Sequence, residues 1–428
     1  MTEPAAHGDA EPAAPAAGLT RRSLLRTGAA AGVGAALGAS VAVAADGDGG
    51  AGVSSADVVA FHGAHQAGIT TPQQDRLVFA AFDLISDERA DLEALLKAWT
   101  QAAALLTEGR AVGTVGGNPL APPADTGEAQ GLRAGRLTLT FGLGPTLFER
   151  DGTDRLGLRD RRPAALRPLP ALPGDELEAE RSGGDLCVQA CSDDPQVAFH
   201  AVRNLTRIAR QYAQLRWTQV GFGRTASTSR TQATPRNLMG FKDGTANIVG
   251  EDARAMDEHV WVGDEGDWLA GGSYLVARRI SMTIESWDRA PLADQEATIG
   301  RTKVTGAPIG SAGEFDEVDL TAKGADGQLR IPANSHVAVA HPSTNGGIRI
   351  LRRGYSFTDG LSADLGQLDA GLFFLAYMRD PKHFIALQRH LGSKDALNEY
   401  IRHVGSAVFA VPAGVASEGG FIGERLFA

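Results

Sequence analysis

The chain has little cysteine, and after its first 45 residues it has no apolar run long enough to cross a membrane. Its only two cysteines, Cys187 and Cys191, lie four positions apart in a stretch with the pattern of a strand. Four strand residues span about 13 Å, which is too far for a disulfide. No His or Cys at ligand spacing accompanies them, which disfavours a metal site. We therefore expect two small buried side chains.

The chain also lacks an excess of positive charge. It carries 41 Lys and Arg against 51 Asp and Glu, a formal net charge of -10 over 428 residues. An acidic protein is a poor candidate for binding nucleic acid or anionic lipid. Its length is enough to bury a large core, in one large domain or two fused modules.

The N-terminal 45 residues have the features of an export signal. The adjacent pair Arg21 and Arg22, in the segment Thr20–Arg26, precedes an Ala/Gly/Val run that reaches Ala45. This pattern predicts a twin-arginine signal peptide in residues 1–45, read by the twin-arginine translocase, which carries folded chains. The expected destination is the periplasm, the cell wall or the medium. A membrane anchor is the alternative, disfavoured because the run is short and poor in leucine.

Two segments of the chain resemble each other at a constant offset. Asp185–Pro195 and Gly371–Pro381 each consist of an apolar run followed by Asp-Pro, which is typical of a helix start. With the units before and after them, each half has the order strand, helix, strand, strand, helix, strand, the ferredoxin-like arrangement. We predict an α+β fold with two such halves, residues 46–240 and 241–428. Their antiparallel sheets, with peripheral helices, would face each other across an apolar pocket.

Three short motifs carry a more specific resemblance. They are Gly-Phe-Lys-Asp-Gly-Thr-Ala-Asn at 240–247, Asn-Ser-His-Val at 334–337 and Leu-Arg-Arg-Gly-Tyr-Ser at 351–356. Together they resemble the GxxDG signature and the haem-ligand segment of the dye-decolourising (DyP-type) peroxidases, and the likeness extends from about residue 68 to the C-terminus. The chain is most similar to the exported branch that includes the deferrochelatase/peroxidases.

The resemblance implies a fold of the dimeric α+β barrel superfamily type, with haem b bound mainly by the second half. It implies a peroxidase that reduces hydrogen peroxide and oxidises dyes, phenolics or other one-electron donors. A homo-oligomer is compatible with it. It also implies haem contacts, which fall on Gly244, Thr245, Ala246, His341, Pro342 and Ser343.

His336 is the favoured iron ligand. It follows a Pro- and Asn-containing turn and precedes a Val-Ala-Val-Ala alternation that predicts a strand. His341 is the alternative, although an odd separation on a strand would turn it to the other face. A second-shell carboxylate strengthens such a ligand. Asp380 is the candidate, with Asp369 in reserve, and a plain helix cap is the competing interpretation of Asp380.

Asp243 and Arg352 are the expected catalytic residues. A carboxyl group can take a proton from peroxide and return one to the departing oxygen. Arg352 stays charged at any working pH and can stabilise the charge that develops there. Arg353, its neighbour on a strand, would face the other way and is expected to be structural.

Two other functions remain open at this stage. One is the release of iron from haem with the porphyrin left intact. The other is non-enzymatic haem binding as an iron-uptake accessory, with Asp243 and Arg352 only lining the pocket. The fold does not choose among these, because one fold can support many functions.

Overall fold

A computed structural model describes residues 57–362 and 366–428 of the chain. The predicted export signal, residues 1–45, lies outside these described ranges. Among the helices they contain, none combines the length and the apolar character that a membrane span requires.

The described chain alternates strands and helices in the predicted order. The nine strands are β1 (Arg76–Leu84), β2 (Thr138–Leu143), β3 (Leu186–Ser192), β4 (Ala213–Arg224), β5 (Ser273–Met282), β6 (Leu351–Arg352), β7 (Tyr355–Leu361), β8 (Leu368–Met378) and β9 (Ile401–Val411). The eight α-helices are α1 (Arg89–Thr107), α2 (Pro145–Phe148), α3 (Pro195–Ala209), α4 (Ala253–His259), α5 (Ile284–Trp287), α6 (Leu292–Ile299), α7 (His336–Ala340) and α8 (Lys382–Lys394).

Each half follows the ferredoxin-like order, which confirms the predicted fold class. The Asp-Pro pairs begin helices in both halves. Asp194 accepts hydrogen bonds from the backbone N–H groups of Gln196 (2.7 Å) and Val197 (3.3 Å) at the start of α3. Asp380 accepts one from the backbone N–H of Lys382 (2.9 Å) at the start of α8. These bonds satisfy N–H groups that the first helical turn leaves unpaired.

The two halves share one sheet. All the strand pairings are antiparallel, in the order β5-β9-β2-β3-β1-β4-β7-β8, and β5 also pairs with β8, so eight strands close into a barrel. The halves join where β4 meets β7 and where β2 meets β9. The short β6 pairs with β8 beside this ring.

The interior of the barrel is packed with side chains, as in other eight-stranded barrels. Apolar and aromatic residues fill it, among them Phe79, Phe373, Tyr377 and Phe409. Cys187 and Cys191 point into the same cluster as free, buried thiols, as predicted. The expectation of an apolar pocket between two facing sheets is therefore wrong, because the strands of both halves close around a solid core.

The second large core lies outside the barrel, beneath the helices of the first half. Strand residues alternate in direction, so Val78, Ala80 and Phe82 of β1 face this layer. Trp99 of α1 is fully buried there, and its indole N–H donates to the carbonyl of Leu205 on α3 at 2.9 Å. In the second half α7 packs against α8 in a corresponding way.

Candidate active site

The turn that carries Asp243 is shaped by the glycine after it. Gly244 has φ +102°, and a Cβ there would lie 2.8 Å from Cα of Ala226 and 2.9 Å from the backbone nitrogen of Ser227. An L-residue at this position would be strained and would also collide with backbone. The Lys-Asp-Gly sequence thus forms a tight turn packed on the chain that leaves β4.

Asp243 and Arg352 meet at this turn. Nη1 of Arg352 donates to Oδ1 of Asp243 at 2.7 Å, and both side chains keep partial contact with solvent, with 29% and 17% of their areas exposed. The amide of Asn237 donates to the other carboxylate oxygen at 3.3 Å. The structure therefore brings together the two residues predicted to be catalytic, 109 positions apart in the chain.

Asn247 fixes the backbone of Arg352. Its side-chain oxygen accepts from the Arg352 N–H and its amide donates to the Arg352 carbonyl, both at 2.8 Å. The same amide donates to the carbonyl of Ser227 at 3.0 Å. In this way the motif that carries Asp243 also holds the strand β6 that carries Arg352.

Arg353 points the other way, as predicted from its place on the strand. It is fully buried, and its guanidinium donates to the carbonyl of Thr71 and to the side chain of Gln74. Tyr355 and Cys191 lie beside it in the barrel interior. Arg353 is a structural residue of the barrel.

His336 lies at the first position of the short helix α7, so the predicted strand at this point is wrong. Ser335 precedes the helix, and its hydroxyl accepts from the backbone N–H of Ala338 at 3.4 Å. The Val-Ala alternation spans only four residues, too few to distinguish a strand from a helix by periodicity. A Ser cap and the alanines favour the helix.

The carboxylate beside His336 is Asp395. Oδ2 of Asp395 lies 2.6 Å from Nδ1 of His336, and the Asp395 side chain is only 2% exposed. Burial lowers the pKa of His336, but the charge and hydrogen bond of Asp395 and the charge of Asp243 outweigh burial. The net pKa lies above the ordinary histidine value, even though the positive charge of Arg352 opposes this. These interactions link His336 to the Asp243–Arg352 pair.

Neither of the carboxylates predicted for this role contacts His336. Asp380 caps α8 and forms an ion pair with Lys382 at 2.9 Å, so the competing interpretation, a helix cap, is the right one. Asp369 pairs with Arg279 at 2.8 Å. The carboxylate that contacts His336 is thus Asp395 and not Asp380, because the chain that follows α8, rather than its start, returns to α7.

The other predicted haem contacts fall on two segments. His341 ends α7, and its Nδ1 lies 2.8 Å from the hydroxyl oxygen of Ser343, with Pro342 between them. Thr245 donates to Oε1 of Glu314 at 3.1 Å, and Ala246 is exposed. The first segment adjoins His336 and the second adjoins Asp243, so the predicted contacts flank these two residues. Their contact with haem stays a prediction.

The donor set fits haem. Because Asp395 occupies Nδ1 of His336, Nε2 is the nitrogen left to bind iron, and within the described chain it has no hydrogen-bond partner. An imidazole held by a carboxylate at its other nitrogen is the usual form of a histidine that binds a metal.

Three residues of the site were given no role in the sequence analysis. Asp395 is 59 positions from His336 and also caps a short 3₁₀ helix through Leu397, so its sequence context resembles an ordinary cap. Asn237 and Asn247 flank Asp243, and both lie within a dozen residues of each other. An Asn near a turn is a weak signal of a functional site, since Asn is common in turns because its side chain hydrogen-bonds the nearby backbone.

Comparison with known proteins matches both halves of the chain to one family. Residues 66–223 match the family model Dyp-type peroxidase, N-terminal, and residues 234–416 match Dyp-type peroxidase, C-terminal. A deferrochelatase of Escherichia coli O6:K15:H31 is 38% identical over 374 residues, which cover 86% of each chain.

Solved structures show the same likeness. DtpA from Streptomyces lividans, in an oxyferrous/water mixed complex, superposes with a TM-score of 0.79 at 41% identity, covering 87% of this chain and 98% of that one. A DyP-type peroxidase from Streptomyces coelicolor gives 0.78 at 41% identity, with 86% and 96% covered. One from Cellulomonas bogoriensis gives 0.76, also at 41%, with 86% and 98% covered.

Proposed function

Because the chain belongs to the family of Dyp-type peroxidases, haem enzymes that act on peroxide, we propose that it is an exported haem b peroxidase in which Asp243, Arg352 and His336 do the chemistry. The observation that carries this proposal is the Asp243–Arg352 pair at 2.7 Å, together with a histidine held by a carboxylate and linked to that pair by charge.

His336 would hold the iron through Nε2, with Asp395 at Nδ1 keeping the imidazole oriented and electron-rich. Haem, when bound, would supply the two electrons that break the O–O bond of hydrogen peroxide. The segments that include Thr245 and His341 would flank it.

Asp243 would move the proton. Its carboxylate takes a proton from one oxygen of hydrogen peroxide and returns it to the other, which leaves as water. The Asn237 amide on Oδ2 leaves Oδ1 as the oxygen that faces Arg352. Arg352 would stabilise the negative charge that develops on the departing oxygen, and it must release Asp243 in part to do so.

Pre-steady-state kinetics would test this assignment. Asp243→Asn keeps the size of the side chain but removes its basicity, and we expect the second-order rate constant for peroxide to fall by about 10² to 10⁴. Arg352→Lys keeps the charge but loses the planar guanidinium, so we expect a smaller fall in the same rate constant than in Asp243→Asn. Unchanged rate constants in Asp243→Asn would contradict the acid/base role.

The electron donors we propose are dyes, phenolics and other one-electron reductants. Deferrochelatase activity is a second candidate, favoured by the E. coli relatives of that name. Incubation of the haem-loaded protein with a reductant and an iron chelator distinguishes iron release from peroxidase activity. Free iron with an intact porphyrin spectrum would support iron release, and peroxide-dependent oxidation of a phenol without iron loss would support the peroxidase. A third reading, haem carriage alone, predicts that Asp243→Asn changes neither result.

We also propose that residues 1–45 direct export by the twin-arginine pathway. Arg21 and Arg22 are the residues that the translocase would read. Replacing both with Lys should retain the protein in the cytoplasm of the host cell. An unchanged distribution in cell fractions would contradict the assignment.

A further inference from the structure

The Asp243 turn is held from outside by a loop that the mechanism above does not use. This loop, residues 301–316, follows α6 and contacts the turn through Glu314. The Glu314 side chain is 10% exposed, so its carboxylate is largely withdrawn from water.

Glu314 contacts the residues on both sides of Asp243. One carboxylate oxygen forms an ion pair with Nζ of Lys242, immediately before Asp243. The other accepts from the Thr245 hydroxyl at 3.1 Å, two residues after Asp243. Charge-assisted hydrogen bonds are the stronger class and are directional, so these two contacts restrict rotation of the turn.

The loop itself is anchored to a buried cation. Arg301 is 7% exposed, and its Nη1 donates to the carbonyls of Gly306 (2.7 Å) and Glu314 (2.8 Å). Gly306 has φ +76°, and a Cβ there would lie 2.7 Å from Cδ of Lys242. The Lys242 stem therefore lies against a residue without a side chain, and its ammonium is directed to Glu314.

We propose that Glu314 is a positioning residue that holds the Asp243 turn from both sides and so keeps the carboxylate in reach of peroxide and of Arg352. The inference builds on the proposed acid/base role of Asp243. Burial raises the pKa of Glu314, but hydrogen bonds from Lys242, Thr234 and Thr245 and the Lys242 charge outweigh it, so the pKa lies below the ordinary value and Glu314 is the ionised partner that this role requires.

A double-mutant cycle tests whether Glu314 acts through Asp243. In the haem-loaded full chain, Glu314→Gln removes the charge but keeps the shape, and we expect the rate constant for peroxide to fall about tenfold. In the Asp243→Asn background the same substitution should change the rate less than about twofold. An equal tenfold loss in both backgrounds would mean a general structural role and would overturn the proposal.

The matched control is Glu317→Gln. Glu317 directly follows this loop, is exposed and forms no hydrogen bond or ion pair within the described chain, so this substitution removes the same charge without touching the turn. Its rate constant should equal that of the wild type. A loss as large as that of Glu314→Gln would attribute the effect to net charge and overturn the proposal.

Hydrogen exchange supplies a readout that needs no haem. The amides of residues 240–247 in the haem-free chain should exchange about tenfold faster in Glu314→Gln than in the wild type, and at the wild-type rate in Glu317→Gln. Unchanged exchange in Glu314→Gln would overturn the proposal that Glu314 holds the Asp243 turn. If exchange accelerates in Glu314→Gln but Asp243→Asn reacts with peroxide at the wild-type rate, the acid/base assignment of Asp243 fails, while the proposal that Glu314 holds the turn is supported.

Discussion

The two halves of this protein have the same order of strands and helices, but they close their outer layers differently. In the first half α1 meets α3 through Trp99, fully buried, whose indole N–H reaches the Leu205 carbonyl at 2.9 Å. In the second half α7 meets α8 near His336, whose side chain is 37% exposed and is paired with Asp395 at 2.6 Å.

Under the proposed function, one copy of the fold serves stability and the other serves chemistry. The first half has the 19-residue helix α1 between its first two strands. The second has the eight-residue α6 at that place, followed by a long irregular stretch that brings Glu314 to the turn of Asp243 and His336 within reach of the Asp243 charge. In that half the charged groups are held by ion pairs and hydrogen bonds with one another, whereas α1 and α3 of the first half are joined by buried apolar side chains.

The largest effect on stability is expected at the apolar interface between α1 and α3. Trp99→Ala empties the interface of α1 and α3, and such truncations cost about 3–5 kcal/mol of unfolding free energy. Urea unfolding measures it. Lys97→Ala on the exposed side of the same helix should cost less than about 0.5 kcal/mol, since exposed pairs contribute little. Equal losses in the two variants would show that burial of Trp99 is not what stabilises the first half.

The second half should be sensitive to acid. His403 on β9 is buried, and burial, with a smaller contribution from the nearby charge of Arg278, lowers its pKa to about 3. The folded state therefore binds its proton less readily than the unfolded chain, so the stability is complete above pH 6.5 and is lost as the pH falls towards 3.

The expected loss from His403 is about 3 kcal/mol between pH 6.5 and pH 4. His403→Gln can still accept the hydrogen bond from the Gln388 amide, which now spans 3.0 Å, but it does not titrate. We expect a flatter dependence of unfolding free energy on pH in this variant. A dependence as steep as that of the wild type would show that His403 is not its source.

Asp395→Asn tests the pair of Asp395 with His336 directly. Removing the charge at Nδ1 of His336 should weaken haem affinity about 10- to 100-fold, as loss of second-shell partners does at other metal sites. Titration of the haem-free chain with haem gives the dissociation constant. Asp369→Asn is the control, because Asp369 pairs with Arg279 and should leave affinity unchanged.

The smallest effect concerns the feature that the halves share. Asp194→Ala and Asp380→Ala each remove a helix cap and should each cost about 1 kcal/mol. Haem affinity should not change in either. A clear loss of affinity in Asp380→Ala alone would restore the role that the sequence analysis gave to this residue.

The sequence predicted the fold well because its signals are local. The Asp-Pro starts of α3 and α8 and the apolar runs of β3 and β8 are periodic and capped, so the duplication could be recognised. Closure of both halves into one barrel could not be predicted, because it depends on pairings between β4 and β7 and between β2 and β9 that no local pattern encodes.

The site was predictable in part for the same reason. Asp243, Arg352 and His336 lie in recognisable motifs, and the structure brings Asp243 and Arg352 into contact. Asp395 and Glu314 act across 59 and 72 positions of sequence, in contexts that resemble a cap and a loop acid. Short elements are also ambiguous, which explains why α7 was expected to be a strand.

The absorption spectrum of the haem-loaded protein tests the central claim most directly, with His336→Ala beside the wild type and His341→Ala as the matched control. We predict a Soret band in the wild type and in His341→Ala that changes rapidly after one equivalent of hydrogen peroxide. His336→Ala should lose the wild-type band or fail to retain haem. A His336→Ala protein with the wild-type spectrum and the same response to peroxide would contradict the assignment of the iron ligand and with it the account of the second half.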